Sequence, residues 1–236
     1  RDRVDGLSLN DCVAAFNSVQ GEKKHERLHK NLRDSTHGHP VRWNERAVVM
    51  ETAAYRLAFL GQESADAICS FIKSNDPWLQ INAAFAAGEI GVNDDEFASN
   101  LFDLLQSPHH QVVRQAIDAI TFMKVNNRQR ILRQLKDLVL HKRPGWQTPL
   151  VQRGWSASDQ IDMNIAMFLL ANCMQLEARD LIDISSFMLQ KSNDYALSIV
   201  AEALVRSGDP IAQKHAIEYL KNRAWNTSLL GAERAY

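Results

Sequence analysis

The sequence is poor in cysteine and lacks long apolar runs, and each shortage excludes a class of protein. The 236 residues include three cysteines, Cys12, Cys69 and Cys173. An odd number of widely spaced cysteines in apolar helical surroundings predicts free buried thiols in a reducing compartment and excludes a disulfide framework. No apolar run is long enough to span a bilayer, and no segment has the pattern of a signal peptide. We therefore expect a cytoplasmic protein with no membrane partner.

An excess of one charge and the common catalytic motifs are also missing. The 27 Lys and Arg residues nearly balance 28 Asp and Glu, for a net charge of -1, so no global field draws the chain onto nucleic acid. No glycine-rich phosphate loop, Cys-x-x-Cys pair or serine nucleophile elbow occurs. We therefore expect no cofactor, and a binding protein in preference to an enzyme. The first residue is Arg, so we expect a chain that is either trimmed or excised from a longer protein, which would contain a further domain.

Strand patterns are almost absent, and an internal helical repeat takes their place. Apolar content is 45%, and five segments rich in small residues alternate with shorter amphipathic helices. Aligned on their small residues, these segments place five positions in one column: Ala54, Ala84, Ile117, Met167 and Ala201. The spacings are 30, 33, 50 and 34 residues. Gly61, Gly91 and Gly208 follow helical patterns and suit left-handed helix ends.

Two of these segments carry a family resemblance. "SNDPWLQINAAFAAGEIG" and "SPHHQVVRQAIDAITFM" resemble HEAT-type repeats, especially the short form of phycobilisome-lyase HEAT-like domains. Asp76 and Pro77 match the start of that form, and Ala83, Ala84 and Gly88 match its small positions. The resemblance implies an all-α fold, a right-handed α-α superhelix of about five helix pairs with one loop insertion. The predicted parts are a capping segment at 1–43 containing an N-terminal helix, repeats at 44–223 with an insert at 142–157, and a tail at 224–236.

In HEAT-type repeats the Ala-rich helix of each pair usually lines the concave side, so its outward positions form the candidate groove. The alignment assigns eight residues to this partner-binding groove: Tyr55, Phe59, Phe85, Glu89, Asp118, Phe122, Phe168 and Arg206. Exposed aromatic residues beside polar ones are typical of a protein or peptide interface. A one-residue error in the alignment would instead make them core residues, so this alternative stays open.

A basic stretch at 124–155 carries eight Lys and Arg residues against one Asp. Its candidate anion-binding residues are Arg128, Arg130, Arg133, Lys136, Lys142 and Arg143. Such a surface can bind a phosphate, nucleic acid or an acidic partner. The alternative is a solvated helix face whose arginines pair with acidic neighbouring repeats.

The insert stretches one repeat spacing to 50 residues, and its candidate residues are Trp146, Arg153, Trp155 and Asp159. Loops as long as the insert at 142–157 are usually functional or disordered when they occur within a compact array. We expect both tryptophans to pack the loop against the helices. Trp155 followed by Asp159 and Asp162 also resembles the Trp/Asp active site of HEAT-like alkylpurine DNA glycosylases, although the Trp-Trp-Asp run is missing. The simpler interpretation is that Ser158 or Asp159 caps the following helix, and that Asp162 favours its positive N-terminal end.

Four histidines, His25, His29, His37 and His39, lie in a charged N-terminal segment. His25 and His29 are four residues apart and share a face if helical, which makes a candidate metal site. The alternative is a solvated linker or cap.

Three functions follow from these patterns. The first is a HEAT-type scaffold that binds a protein or peptide partner in its groove. The second is a nucleic-acid-binding or glycosylase-like protein that uses the basic stretch. The third, implied by the repeat subtype alone, is a lyase-like or chaperone-like module for a tetrapyrrole or another apolar ligand.

Overall fold

Every regular element of the described part of the chain is a helix, as the sequence predicts. The structure, a computed structural model, describes residues 6–19, 45–91, 95–123, 128–141, 143–147, 156–191 and 194–233. Contacts divide the chain into two compact units. The first consists of Arg1–Asn126 with Thr148–Ala157, and the second consists of Asn127–Gln147 with Ser158–Tyr236.

The first unit contains six α-helices within its described residues. They are α1 (Leu9–Val19), α2 (Glu45–Leu60), α3 (Ala65–Ile72), α4 (Pro77–Ile90), α5 (Asp95–Leu104) and α6 (His110–Phe122), with a 3-10 turn at Gly61–Ser64. Helix α4 packs against α2 on one flank and α6 on the other, while α3 contacts α4 and α5 contacts α6. Helices α3 and α5 also contact each other, so the unit has a row of α2, α4 and α6 backed by α3 and α5.

Small side chains allow the row of α2, α4 and α6 to pack closely. Ala54 and Ala84 are fully buried. A Cβ atom added to Gly88 of α4 would stand 2.8 Å from the Cα atom of Ala119 in α6. Since real Cβ atoms are almost never that close to another atom, the hydrogen side chain of Gly88 is what permits this approach. The Ala-rich pattern therefore sets the distance between neighbouring helices.

Helix α1 closes one side of this unit by packing on α2. The Phe16 ring stacks on Phe71 of α3, with ring centroids 4.5 Å apart. Ser8 and Asp11 cap the start of α1 reciprocally: the Ser8 N–H donates to the Asp11 carboxylate at 2.8 Å and the Asp11 N–H donates to the Ser8 hydroxyl at 3.2 Å. The Ser8 hydroxyl also donates to the Asp11 carboxylate at 2.7 Å, and this bond, together with the one from the Ser8 N–H, lowers the pKa of Asp11.

The start and end of α4 follow the signals in the sequence. The Asp76 side chain accepts a hydrogen bond from the Trp78 N–H at 2.8 Å, and Pro77 occupies the first helical position. Gly91 ends the helix in the left-handed region with φ 64°. Gly61 and Gly208 also have positive φ, which confirms the predicted left-handed positions.

We expect Asp76→Ala to lower the free energy of unfolding of the first unit by about 0.5–2 kcal/mol, because the Trp78 N–H loses its acceptor. Urea denaturation followed by circular dichroism measures the change. Asp76→Asn is the matched control and should retain most of the stability, because its side-chain oxygen still accepts this bond. Equal midpoints for the alanine variant and the wild type would contradict the capping role.

The second unit contains five helices within its described residues. They are α7 (Arg128–Leu140), α8 (Ala157–Asn172), α9 (Ala178–Lys191), α10 (Asp194–Arg206) and α11 (Pro210–Glu233). Helix α9 contacts α7, α10 and α11, and α10 also contacts α11. Helix α11 continues to Glu233, so the boundary expected at residue 223 does not coincide with a helix end.

The three cysteines are free. Cys12 and Cys173 are buried, as expected, whereas Cys69 is only partly buried. Burial raises the pKa of the Cys12 thiol, which keeps it in the neutral form. Among the described residues, no helix combines the length and the apolar character that crossing a bilayer requires.

Candidate protein-interaction surface

Exposed aromatic side chains cluster on the row of helices in the first unit. Tyr55 is 59% exposed, Phe59 is 76% exposed and Phe122 is 73% exposed. We call this the α2–α4–α6 surface, and its residues are Tyr55, Phe59, Phe85, Glu89, Asp118 and Phe122. Glu89 is exposed, while Phe85 and Asp118 are partly exposed. These are the six residues of the first unit that the sequence assigns to a groove.

The exposed positions lie on one side of the row. Helix α4 has α2 and α6 on its flanks and α3 behind it, so its exposed stripe through Phe85 and Glu89 faces away from α3. The Tyr55 and Phe85 rings meet edge to face, with centroids 4.8 Å apart and an interplanar angle of 72°. This contact joins the exposed stripe of α2 to that of α4.

The three helices of the row run in the same direction. Tyr55 and Phe85 each lie five residues before the last residue of their helices. Gly88 and Ala119, which also meet, lie near the ends of α4 and α6. Antiparallel helices packed along their length would instead bring the end of one helix to the start of its neighbour. The last turns of α2, α4 and α6 therefore lie side by side.

The two arginines near this surface, Arg56 and Arg114, already interact with other groups of the chain. The Arg56 Nε–H donates to the Leu7 carbonyl at 2.8 Å, and the Arg56 guanidinium carbon lies 5.3 Å from the centroid of Phe59. Arg114 on α6 is partly buried, which lowers its pKa, while the charge of Asp118 raises it. Arg114 and Asp118 thus balance each other one helical turn apart. Neither arginine was among the residues expected at this surface, although the Arg114–Asp118 spacing of four residues signals such a pair.

Phe168 does not belong to an exposed surface, and this assignment is corrected. Its side chain is only 2% exposed and is part of the core, whereas Met167 is 43% exposed. In α8 the alignment is displaced by one residue, so Ala166 takes the place of Ala54 and Ala84. The insert before α8 has no counterpart in the other repeats, and no local signal fixed the register across it. The buried side chain of Asn172 agrees with this displacement.

The remaining groove candidate, Arg206, lies on α10 in the second unit. It is exposed and forms an ion pair with Glu202, with 2.6 Å between the nitrogen and oxygen atoms. This pair spans one turn of the same helix and stabilises that helix only slightly in solvent.

One cation of the basic stretch pairs with an Asp residue of a neighbouring helix, although the alternative of internal pairing expects arginines in that role. The Lys136 ammonium lies 2.6 Å from the Asp183 carboxylate of α9 and 4.9 Å from the centroid of Phe187. Gln129 donates to Asp180 of the same helix. Part of the positive charge of α7 is therefore neutralised within the second unit.

The other candidate anion-binding residues have different surroundings. Arg133 is exposed, and its Nε–H donates to the carbonyl of Gln129 at 3.3 Å. Arg130 is partly exposed. The side chains of Arg128 and Lys142 lie outside the described residues.

The described part of the insert is packed around Trp146. This side chain is 9% exposed, and the carbonyl of the same residue accepts a hydrogen bond from the Ser158 N–H at 2.8 Å. The guanidinium carbon of Arg143 lies 4.6 Å from the Trp146 ring centroid, and burial lowers the pKa of Arg143. The turn that holds Trp146 is therefore tied to the beginning of α8.

Of the other insert candidates, Asp159 is partly exposed and lies in the first turn of α8. Because α8 begins at Ala157, the expected cap at Ser158 or Asp159 is wrong: both residues lie inside the helix. Arg153 and Trp155 lie outside the described residues, and so does the candidate metal site of His25, His29, His37 and His39. Within the part of the chain that the structure describes, no three His, Cys, Asp or Glu residues are grouped to hold a metal ion.

Comparison with known proteins adds no further assignment. No protein-family model, curated protein or solved structure matches this chain.

Proposed function

We propose that the chain is an interaction module of HEAT-like helix pairs that binds an extended segment of a partner protein on the α2–α4–α6 surface. The observation that carries this proposal is the set of exposed rings, Tyr55 and Phe59 on α2 and Phe122 on α6. Large exposed aromatic side chains are uncommon on a solvated surface when they recur at equivalent positions. They are common at the energetic centres of protein interfaces.

The repeat arrangement supports this function. The row of α2, α4 and α6 backed by α3 and α5 resembles the layered pairing expected of stacked HEAT-like repeats. Its small residues bring neighbouring helices together, as Gly88 and Ala119 do. A row of this kind offers one side chain per helix at regular intervals, which suits recognition of an extended chain.

A protein partner fits the charges better than nucleic acid does. Glu89 is exposed among the aromatic residues, where a phosphate backbone would be repelled. Lys136 of the basic stretch is paired with Asp183, and Arg143 is stacked on Trp146. The cations that would contact phosphates are therefore partly engaged within the chain.

We expect peptides selected from a random 12-residue display library to bind the wild-type chain at this surface. Replacing both Phe59 and Phe122 by alanine should weaken their binding at least tenfold, because the peptide loses two apolar anchors. Fluorescence anisotropy with synthetic copies of the selected peptides measures the affinity.

Met174→Ala is the matched control, since Met174 is 82% exposed but lies in the second unit. It should leave peptide affinity unchanged. Equal binding by the wild type and the double variant would refute the proposed site. Duplex or single-stranded DNA that shifts the wild type in a gel at low salt, and that Arg130→Ala with Arg133→Ala releases, would favour the nucleic-acid alternative.

A further inference from the structure

On the basis of the proposed peptide-binding function, we propose that the bound segment carries a basic side chain flanked by two apolar ones. Lysine or arginine pairs with Glu89, and the apolar side chains contact Phe59 and Phe122. The last turns of three parallel helices carry these three residues, one on each helix, with Glu89 on the middle helix.

The C-terminal ends of α2, α4 and α6 give this part of the surface a negative electrostatic potential. The C-terminal end of a helix carries a partial negative charge from its unpaired carbonyl groups, and cations are stabilised there. None of α2, α4 and α6 has a basic residue in its last turn. Three such ends lie side by side, and within the described residues no Lys or Arg of these last turns offsets their charge.

The part of the sequence that forms this surface also has a negative net charge. Residues 45–123 contain four Lys and Arg residues and eleven Asp and Glu residues, a balance of -7, although the whole chain has a net charge of only -1. A strongly acidic stretch of this kind attracts basic partners over about a Debye length, roughly 8 Å at physiological salt. Charge complementarity therefore favours a basic segment over an acidic one.

Within the described residues, the Glu89 carboxylate forms no hydrogen bond or ion pair. Asp118, in contrast, is balanced by Arg114, and Arg56 is bonded to the Leu7 carbonyl while it covers Phe59. Glu89 is thus the carboxylate of this surface that a partner can neutralise. A guanidinium or ammonium group beside Glu89 also lies within reach of neighbouring aromatic rings, which attract cations.

The distance between the helices sets the number of residues between the two apolar side chains of the peptide. Neighbouring helix axes are about 8–10 Å apart, so Phe59 and Phe122 are separated by roughly 16–20 Å across α4. An extended peptide advances about 3.3 Å per residue, so about six residues cover this distance. Alternate side chains of an extended chain face the same side, so the expected motif has apolar residues at positions 1 and 7 and Lys or Arg at position 3 or 5.

The test uses the display library of random 12-residue peptides and the chain containing all 236 residues. Clones enriched on the wild type should carry Lys or Arg about two residues from one apolar side chain and about four residues from the other, because alternate side chains share a face. In anisotropy titrations, changing that basic residue to Glu should weaken binding at least tenfold. Glu89→Gln should weaken binding of the basic peptide about threefold or more, and Glu89→Lys should reverse the preference in favour of the Glu-containing peptide.

Asp66→Lys is the matched control, because it replaces an acidic residue by lysine at an exposed position of α3, in the other layer. It should leave the preference for the basic peptide intact. Peptides that lose binding in the Phe59 and Phe122 double variant but tolerate Glu in place of the basic residue would overturn this inference and leave the proposed function standing.

Two other outcomes would overturn the inference. An absence of any clone enriched on the wild type over the double variant would remove the proposed function as well. Sedimentation that shows a dimer of the wild type and a monomer of the Phe122→Ala variant would make a second copy of the chain the occupant.

Discussion

Replacing Phe168 by alanine is expected to lower the free energy of unfolding of the second unit by about 3–5 kcal/mol. Phe168 is 2% exposed and is among the largest fully buried side chains of the described residues. Its truncation removes apolar surface from the core and leaves a cavity that neighbouring side chains fill only in part. Urea denaturation followed by circular dichroism measures the loss.

Met167→Ala is the matched control for this prediction. Met167 is the adjacent residue on α8 and is 43% exposed. Its truncation should change the free energy of unfolding by less than about 1 kcal/mol, as at most surface positions. If the methionine variant lost as much stability as the phenylalanine variant, the register of α8 described above would be wrong.

Gly88→Ala is expected to destabilise the first unit by about 1–3 kcal/mol, because the added methyl group forces α4 away from α6. The new Cβ atom would lie 2.8 Å from the Cα atom of Ala119 and 3.1 Å from its Cβ atom. In an uncrowded helix the same substitution stabilises by about 1 kcal/mol. The sign of the change in melting temperature therefore tests the contact directly.

A double-mutant cycle with Ala119→Gly serves as the control for the Gly88 prediction. Removing the Ala119 Cβ atom relieves one of the two close contacts and leaves the backbone contact in place. The two substitutions should thus couple favourably, and Gly88→Ala should cost less in the Ala119→Gly background than in the wild type. Additive changes, or a stabilised Gly88→Ala variant, would show that α4 and α6 are farther apart.

Local signals made several features predictable. The Asp76–Pro77 pair predicted the start of α4, and Gly91 predicted its end, because capping bonds and backbone preferences involve only neighbouring residues. The stripe through Phe85 and Glu89 followed from the 3.6-residue period of a helix. Phe168 was assigned wrongly because an error of one residue rotates a side chain by about 100° around its helix.

The register error at Phe168 is one limit of prediction from sequence, and the basic stretch shows a second. Counting residues identifies the local excess of positive charge, but it does not identify the groups that neutralise it. Lys136 and Asp183 are 47 residues apart in the chain, and only the packing of α7 against α9 brings them together. The same holds for Arg56, which bonds to the carbonyl of Leu7, 49 residues away.

Patterns along the chain were enough to predict that its described elements are helical, where α4 begins and ends, and that Tyr55, Phe59, Glu89 and Phe122 are exposed. Packing in three dimensions set the register of α8, the pairing of Lys136 with Asp183 and the close approach of Gly88 to Ala119. Helix formation and capping depend on residues within a few turns of one another, so they are encoded locally. Contacts between helices depend on how whole faces pack at once, and a pattern read along one helix does not contain that information.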